Sequence, residues 1–261
     1  MFIKSKFKPA WWLRNRHLQT IVPRVYSVPN TFRPFEHDFN LSDGDFIELV
    51  WSRSPAYINE KTPIVIVLHG LEGSYDSFYA KRMMNAIHAK GWVALLMQFR
   101  GCGQRPNRMA QTYHSGQTED LSELTDYLSK KFPNNPLYAV GFSLGGNMLA
   151  LFLGERKDNS HLSGSVVISA PLDLGICAKE ISQGFSRVYQ KYLVEKLRNK
   201  TKGKLALMKE RFPLTLSAED FDNIVELTDF DERVTAPING FDSAEQYYRE
   251  CSANQFLTSI E

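Results

Sequence analysis

The apolar positions of the chain fall into two kinds of run. Phe35 to Leu41 and Phe46 to Trp51 are short strand-like segments on either side of Asp43-Gly44, a pair that favours a hairpin turn. Ile64-Val65-Ile66-Val67-Leu68 is continuously apolar, as expected of a strand buried on both faces of a parallel sheet. Tyr79, Ala80, Met83, Met84 and Ile87 then recur at helical spacing, and Gly91 supplies a helix stop. Trp92 to Met97 predicts the next strand, closed by a turn at Arg100-Gly101-Cys102-Gly103. Thr118 to Phe132 predicts a helix with Leu121, Leu124 and Leu128 on one face and Thr118 as its cap. Leu137 to Val140 and Ser165 to Ala170 predict two further strands, with an apolar helix, Met148 to Leu153, between them. A hairpin followed by alternating strands and helices specifies an α/β fold with a mostly parallel central sheet.

After Pro171 the period becomes helical. Ile181, Phe185, Val188, Tyr189, Tyr192, Leu193 and Leu197 share one helical pattern, which Phe212-Pro213 interrupts. Asp242 and Glu245 form a loose helix-start box before Tyr247 and Tyr248. The pattern divides the chain into an N-terminal arm (1–34), an α/β core (35–173) and a mostly helical stretch that runs nearly to Glu261.

The arm has no clear period. It carries Trp11, Trp12, Arg14, Arg16 and His17, then Pro23, Pro29 and Pro34. It reads as a segment packed over the domain surface. A peripheral membrane contact is the sharper reading, but no amphipathic helix is traceable there.

Composition narrows the class. With 261 residues and a net charge of +2, the chain can bury a sizeable core and lacks the basic excess of a nucleic-acid binder. Cys102, Cys177 and Cys251 have no paired spacing, which fits a reducing, cytoplasmic setting. No apolar run is long enough to suggest a membrane span. The lysines and arginines between Arg187 and Arg211 read as a solvated helical face, or as a basic rim toward anionic lipid or acidic substrates.

The chemistry centres on Gly141-Phe142-Ser143-Leu144-Gly145. A strand runs into this G-x-S-x-G and a helix leaves it, the context of a nucleophile elbow. Ser143 is the candidate nucleophile. The backbone N–H of Leu144 is one candidate oxyanion donor. That of Leu71, in His69-Gly70-Leu71-Glu72-Gly73 after the first central strand, is the other.

A general base is harder to find. His17, His37, His69, His88 and His114 precede the serine, and His161 lies in a surface turn at the far end of a strand. His114 reads as structural. Asp173 is a candidate acid, and Asp229, Asp231 and Asp242 read as caps or surface charges, so no triad acid is assigned.

These stretches, with Asn15-Arg16-His17-Leu18-Gln19-Thr20, Phe99-Arg100-Gly101-Cys102, Pro106-Asn107-Arg108, Tyr113-His114-Ser115-Gly116, Gly146-Asn147 and Gly184-Phe185-Ser186-Arg187-Val188-Tyr189, resemble the YheT-like branch of the α/β-hydrolases, esterases and lipases. The resemblance spans about residues 11 to 253. It implies an α/β-hydrolase fold with a helical cap-like insertion (174–240) and a return helix toward the core (241–261), carboxylic-ester hydrolysis by a Ser-Asp-His triad, a small-molecule ester or lipid substrate, and no metal or cofactor. Members of that branch continue past the position of Ser252 with a strand carrying the triad Asp and a loop carrying the His. The expectation is therefore a sheet missing its C-terminal strands, Ser165 to Ala170 left as its edge, and a serine esterase impaired for want of acid and base. The rival readings are a non-catalytic binding module for small acyl or lipid ligands and a partial chain completed by another polypeptide.

Overall fold

The computed structural model of the chain describes residues 3–26, 28–208 and 216–260. The arm contains a helix, α1 (Arg16–Val25). This corrects the reading of the arm as aperiodic. Pro23 lies inside the helix, and Asn15 caps it by accepting from the N–H groups of His17 and Leu18.

The sheet begins with the hairpin β1 (Phe35–Asn40) and β2 (Phe46–Trp51). Gly44 sits in the turn at φ +89°, a conformation that favours glycine. β3 (Ile64–Leu68) leads to α2 (Phe78–Ala89). Gly91, at φ +76°, ends that helix by donating to the His88 carbonyl at 2.9 Å, while Trp92 donates to Ile87 at 3.3 Å. β4 (Val93–Gln98), α3 (Thr118–Lys131), β5 (Leu137–Phe142), α4 (Leu144–Arg156) and β6 (Gly164–Ile168) complete the α/β part. The Thr118 hydroxyl does not cap α3. It donates instead to Glu155 at 2.7 Å, and Gln117 holds the cap position.

The six strands lie in the order β1-β2-β4-β3-β5-β6. β3 pairs parallel with β4 and β5, and β5 parallel with β6, so Leu68 stands opposite Gly141 in neighbouring strands. Alternate residues feed two cores. Ile64, Ile66 and Leu68 pack with Leu121, Leu124 and Leu128 of α3 and with Met148 and Phe152 of α4. Val65 and Val67 pack on the other face with Ala80, Met84 and Ile87 of α2. A strand covered on both faces must be apolar at every position, which is why β3 reads as an unbroken run. Among the described residues β6 is the sheet's edge, as expected, and its Val166 is 53% exposed.

A buried ionic cluster ties the hairpin to the sheet's loops. The Arg100 guanidinium bonds Asp120 through two nitrogens, at 2.9 and 2.6 Å, and Asp43 at 2.6 Å. Fully buried Asp45 accepts from the Asn107 amide and from the Arg108 and Phe46 N–H groups. Desolvation of Arg100 is opposed by Asp120 and Asp43, which hold its pKa above the usual arginine value.

After β6 come α5 (Leu174–Ile181), α6 (Arg187–Met208), α7 (Ala218–Asp222) and α8 (Leu227–Phe230). A π-helical turn, Asp231–Thr235, joins α8 to α9 (Ala236–Ile238), and α10 (Ala244–Cys251) follows. Phe212-Pro213 lies outside the described residues. The helix-start box sits one residue later than expected. Ser243 is the cap, accepting from Gln246 N–H, and the Gln246 side chain accepts from Asp242 N–H. A final 3-10 segment, Ala253–Ser259, returns onto α4, where Phe256 fills the space beside Gly154. Among the described residues no helix is long and apolar enough to cross a membrane.

Candidate functional site

Ser143 stands between β5 and α4 at φ +51°, ψ −120°, a backbone strained by roughly 1–3 kcal/mol for a residue with a side chain. Its own N–H is fixed to the Ile168 carbonyl of β6 at 2.9 Å. The flanking glycines follow from contact distances. A Cβ on Gly141 would lie 2.4 Å from the Gly145 carbonyl oxygen, and one on Gly145 would lie 2.4 Å from the His69 carbonyl oxygen. Both obstacles are backbone, so neither can move aside. The serine is exposed and faces a cavity.

The loop after β3 approaches the same point. Gly145 N–H donates to the His69 carbonyl at 3.1 Å, and a Cβ on Gly70 would lie 3.1 Å from the Ser143 Cβ. The two candidate oxyanion residues, Leu71 and Leu144, therefore line the cavity together with Ser143. Leu144 is the first residue of α4, where an N–H has no acceptor within its helix. Among the described residues neither Leu71 N–H nor Leu144 N–H donates to a protein acceptor.

His69 holds the loop's base. Its Nδ1 donates to the Gly70 carbonyl at 2.8 Å and its Nε2 accepts from Phe99 N–H at 3.1 Å, which fixes the neutral ring in one tautomer. Complete burial pushes its pKa down to about 3. Gly70 N–H donates to the Tyr79 hydroxyl at 2.8 Å. Glu72, at φ +52°, is clasped by Tyr113, whose hydroxyl accepts from Glu72 N–H and donates to its carboxylate.

The remaining histidines lie elsewhere. His161 pairs with Asp126 at 3.2 Å at the opposite end of β6 from the elbow. His17 meets the Tyr189 hydroxyl at 3.0 Å, His37 stacks on Trp51, and His88 packs on Phe32. His114 does line the cavity, but its Nδ1 accepts from Gly116 N–H at 3.2 Å and it stands edge-on to Phe241 and Tyr247. Burial, aided by the Arg100 charge, lowers it to about 4. No histidine among the described residues hydrogen-bonds Ser143.

The acids are also accounted for. Asp173 caps α5 by accepting from Ile176 N–H. Asp229 faces Arg233 at 4.0 Å, and Asp242 precedes α10 in an exposed turn. Asp231 is not a surface charge as read from the sequence. It is buried in the cavity wall, bonded by the Tyr248 and Thr235 hydroxyls, and burial raises it to about 6.

Two lysines overturn the reading of α6 as a wholly solvated face. Lys200 reaches Glu72 at 2.9 Å and Cys102 Sγ at 3.0 Å, joining α6 to the loop after β3. Buried Lys204 donates to Asn107 Oδ1 and to the Ala110 and Gln111 carbonyls, and burial lowers it to about 7. Both occupy the stripe of Leu193 and Leu197, which line the cavity. That spacing was the available signal.

The sequence pattern does not disclose the supporting role of Asn147. Fully buried behind the elbow, it donates to the carbonyls of Ser115 and Cys251 and accepts from Ala253 N–H. One side chain thereby ties the Tyr113–Gly116 loop and α10 to the helix that carries Ser143.

The cavity, about 180 Å³, is mostly apolar, with Leu71, Leu174, Ala178, Ile181, Leu193 and Leu197 in its wall. Among the described residues no group of three or more histidine, cysteine or acidic side chains converges as metal ligands.

Comparisons agree with this architecture. Residues 63–259 match the family model described as the alpha/beta hydrolase fold. Over 98% of its length the chain is 41% identical to the Escherichia coli (strain K12) protein YheT, which its name places provisionally among the esterases. It is 28% identical over 77% of its length to a Saccharomyces cerevisiae monoacylglycerol lipase, and 24% identical over 99% to the Mus musculus phospholipase ABHD3. The chain spans 74%, 46% and 63% of these relatives' own lengths, respectively. An elbow bracketed by glycines, a loop beside it whose Leu71 N–H is unengaged, and a match over nearly the whole chain place this protein in the α/β-hydrolase family, in its YheT-like branch.

Proposed function

We propose that the protein is a carboxylic-ester hydrolase of the esterase and lipase type, with Ser143 as nucleophile. The carrying observation is the meeting of Ser143 with the unengaged N–H groups of Leu71 and Leu144 at an apolar cavity. The Ser143 hydroxyl attacks the ester carbonyl carbon. The carbonyl oxygen takes the negative charge and is held by the two N–H groups. Collapse expels the alcohol and leaves an acyl-serine, which water then hydrolyses. The apolar wall suits an acyl chain, and the lipase and phospholipase names among the relatives support a lipid-like substrate.

Because no histidine among the described residues bonds Ser143, the expectation for this chain is that the serine proton passes to solvent and turnover is slow. Oxyanion stabilisation and binding alone retain a rate about a thousandfold to ten-thousandfold over water. The same observation favours a second reading, in which the cavity binds small acyl or lipid ligands without turning them over.

Hydrolysis of p-nitrophenyl acyl esters by the wild type and by Ser143→Ala tests the proposal. Slow hydrolysis that disappears in the variant supports it. Equal rates in both proteins overturn it. An acyl ligand bound equally by both proteins, with no hydrolysis in either, selects the binding reading.

A further inference from the structure

The arm carries chemistry that the hydrolytic site does not use. Residues 1–35 contain seven lysines and arginines and no acid, so the rest of the chain sums to −5. The charge is concentrated at one end of a nearly neutral protein.

α1 is placed unusually. It rests on the protein through polar groups: His17 lies 4.4 Å from the Phe185 ring and bonds Tyr189, and Arg24 covers the Tyr192 ring at 4.7 Å. Its apolar stripe faces out. Leu18, Ile21 and Val25, at helical spacing, are 44%, 39% and 79% exposed, and no residue of the helix is buried. A helix that packs on its own domain does the reverse.

The exposed apolar surface continues on both sides. Trp11 is 80% exposed and Phe7 73%, and across the contact with α6, Phe185 and Val188 are more than half exposed. Exposed patches of this kind mark an interaction surface. Tryptophan interleaved with lysine and arginine is the composition of a segment seated at a membrane–water interface.

We propose that the arm and α1, with the exposed edge of α6, form a docking surface for an anionic lipid bilayer. The apolar face of α1 and the Trp11–Trp12 pair enter the headgroup boundary, and Lys4, Lys6, Lys8, Arg14 and Arg16 contact the acidic headgroups. A bilayer fits better than a second copy of this chain, because two copies meeting at this face would juxtapose like charges with no acid in either arm. The inference is independent of whether Ser143 turns over.

The test is flotation of the full chain with phosphatidylcholine vesicles, alone or with roughly one-third phosphatidylglycerol. The wild type is expected to float with the anionic vesicles, with a blue shift in tryptophan fluorescence, and to remain behind with phosphatidylcholine alone. Charge reversal at three exposed sites, K4E/K6E/K8E, is expected to lower partitioning by about a hundredfold or more, at about fivefold for each cation lost. W11A/W12A is expected to weaken binding and reduce the blue shift. These side chains are exposed, so both variants are expected to melt as the wild type does. Absence of flotation with anionic vesicles, or equal flotation of wild type and both variants, would overturn the proposal. So would a dimer in sedimentation velocity that is abolished by W11A/W12A, which would assign the patch to a second copy.

Discussion

The Tyr113 hydroxyl closes a two-bond ring with Glu72, accepting from its N–H at 2.8 Å and donating to its carboxylate at 2.8 Å. Glu72 adopts a positive φ immediately after Leu71, so this ring sets the path of the loop that aims the Leu71 N–H. Tyr113→Phe removes both bonds and leaves the ring packing on Phe99 in place. The expected cost is about 1–2 kcal/mol in a denaturant melt. Reaction of Ser143 with an acyl phosphonate is expected to slow by roughly tenfold, as for partial loss of an oxyanion donor.

Glycine positions in the site and outside it should respond oppositely. Gly145→Ala drives a methyl against the His69 carbonyl and is expected to cost more than about 3 kcal/mol or to prevent folding. Gly203→Ala, inside α6 where an added Cβ meets nothing within 4 Å beyond the helix's own backbone, is expected to stabilise by about 0.5–1 kcal/mol. Thermal melts of the two variants check both signs.

Lys200 joins α6 to the site through Glu72, whose side chain is only 9% exposed. Lys200→Met leaves that carboxylate without its cation, at an expected cost of about 2 kcal/mol, since the lysine is partly solvated. The double variant K200M/E72Q removes the stranded charge and is expected to recover most of the loss. Urea melts of the single and double variants measure this.

Stability should show two opposing pH slopes. His69 and His114 are lowered by burial to about 3 and about 4. As pH falls below their ordinary 6.5, the unfolded chain takes up protons that the folded chain refuses, and stability is lost. Asp231 is raised by burial from 3.8 to about 6. In that window the folded chain keeps a proton that the unfolded chain has released, so stability falls as pH rises through it. Asp231→Asn removes only the second slope, because an amide can still accept from Tyr248 and can donate to Thr235. The variant is expected to exceed the wild type by on the order of 2–3 kcal/mol at pH 7, with the difference closing near pH 4. Melts across pH 4 to 8 read both effects.

The strands and the elbow were legible because their causes are local. A two-sided strand must be apolar throughout, and the turn at Ser143 tolerates only small neighbours, as the contacts of Gly141 and Gly145 show. The features misread depend on which way a helix faces. α1 is hidden in the sequence because Pro23 interrupts its pattern and its apolar stripe points outward. Charge alone suggests water for Lys200 and Lys204, although their spacing places them on the stripe of Leu193 and Leu197. The burial of Asp231 is not legible in the sequence, since its partner Tyr248 meets it only in the folded chain.

Ser143, the proposed nucleophile, stands beside the unengaged N–H groups of Leu71 and Leu144, with no base hydrogen-bonded to it among the described residues. Labelling with a fluorophosphonate, followed by mass spectrometry of the adduct and by rates across pH 6 to 9, tests it most directly. A single adduct on Ser143 is expected, formed slowly and at a rate that climbs steadily with pH. Absence of an adduct on Ser143, or rapid labelling that reaches a plateau near pH 7, would contradict it.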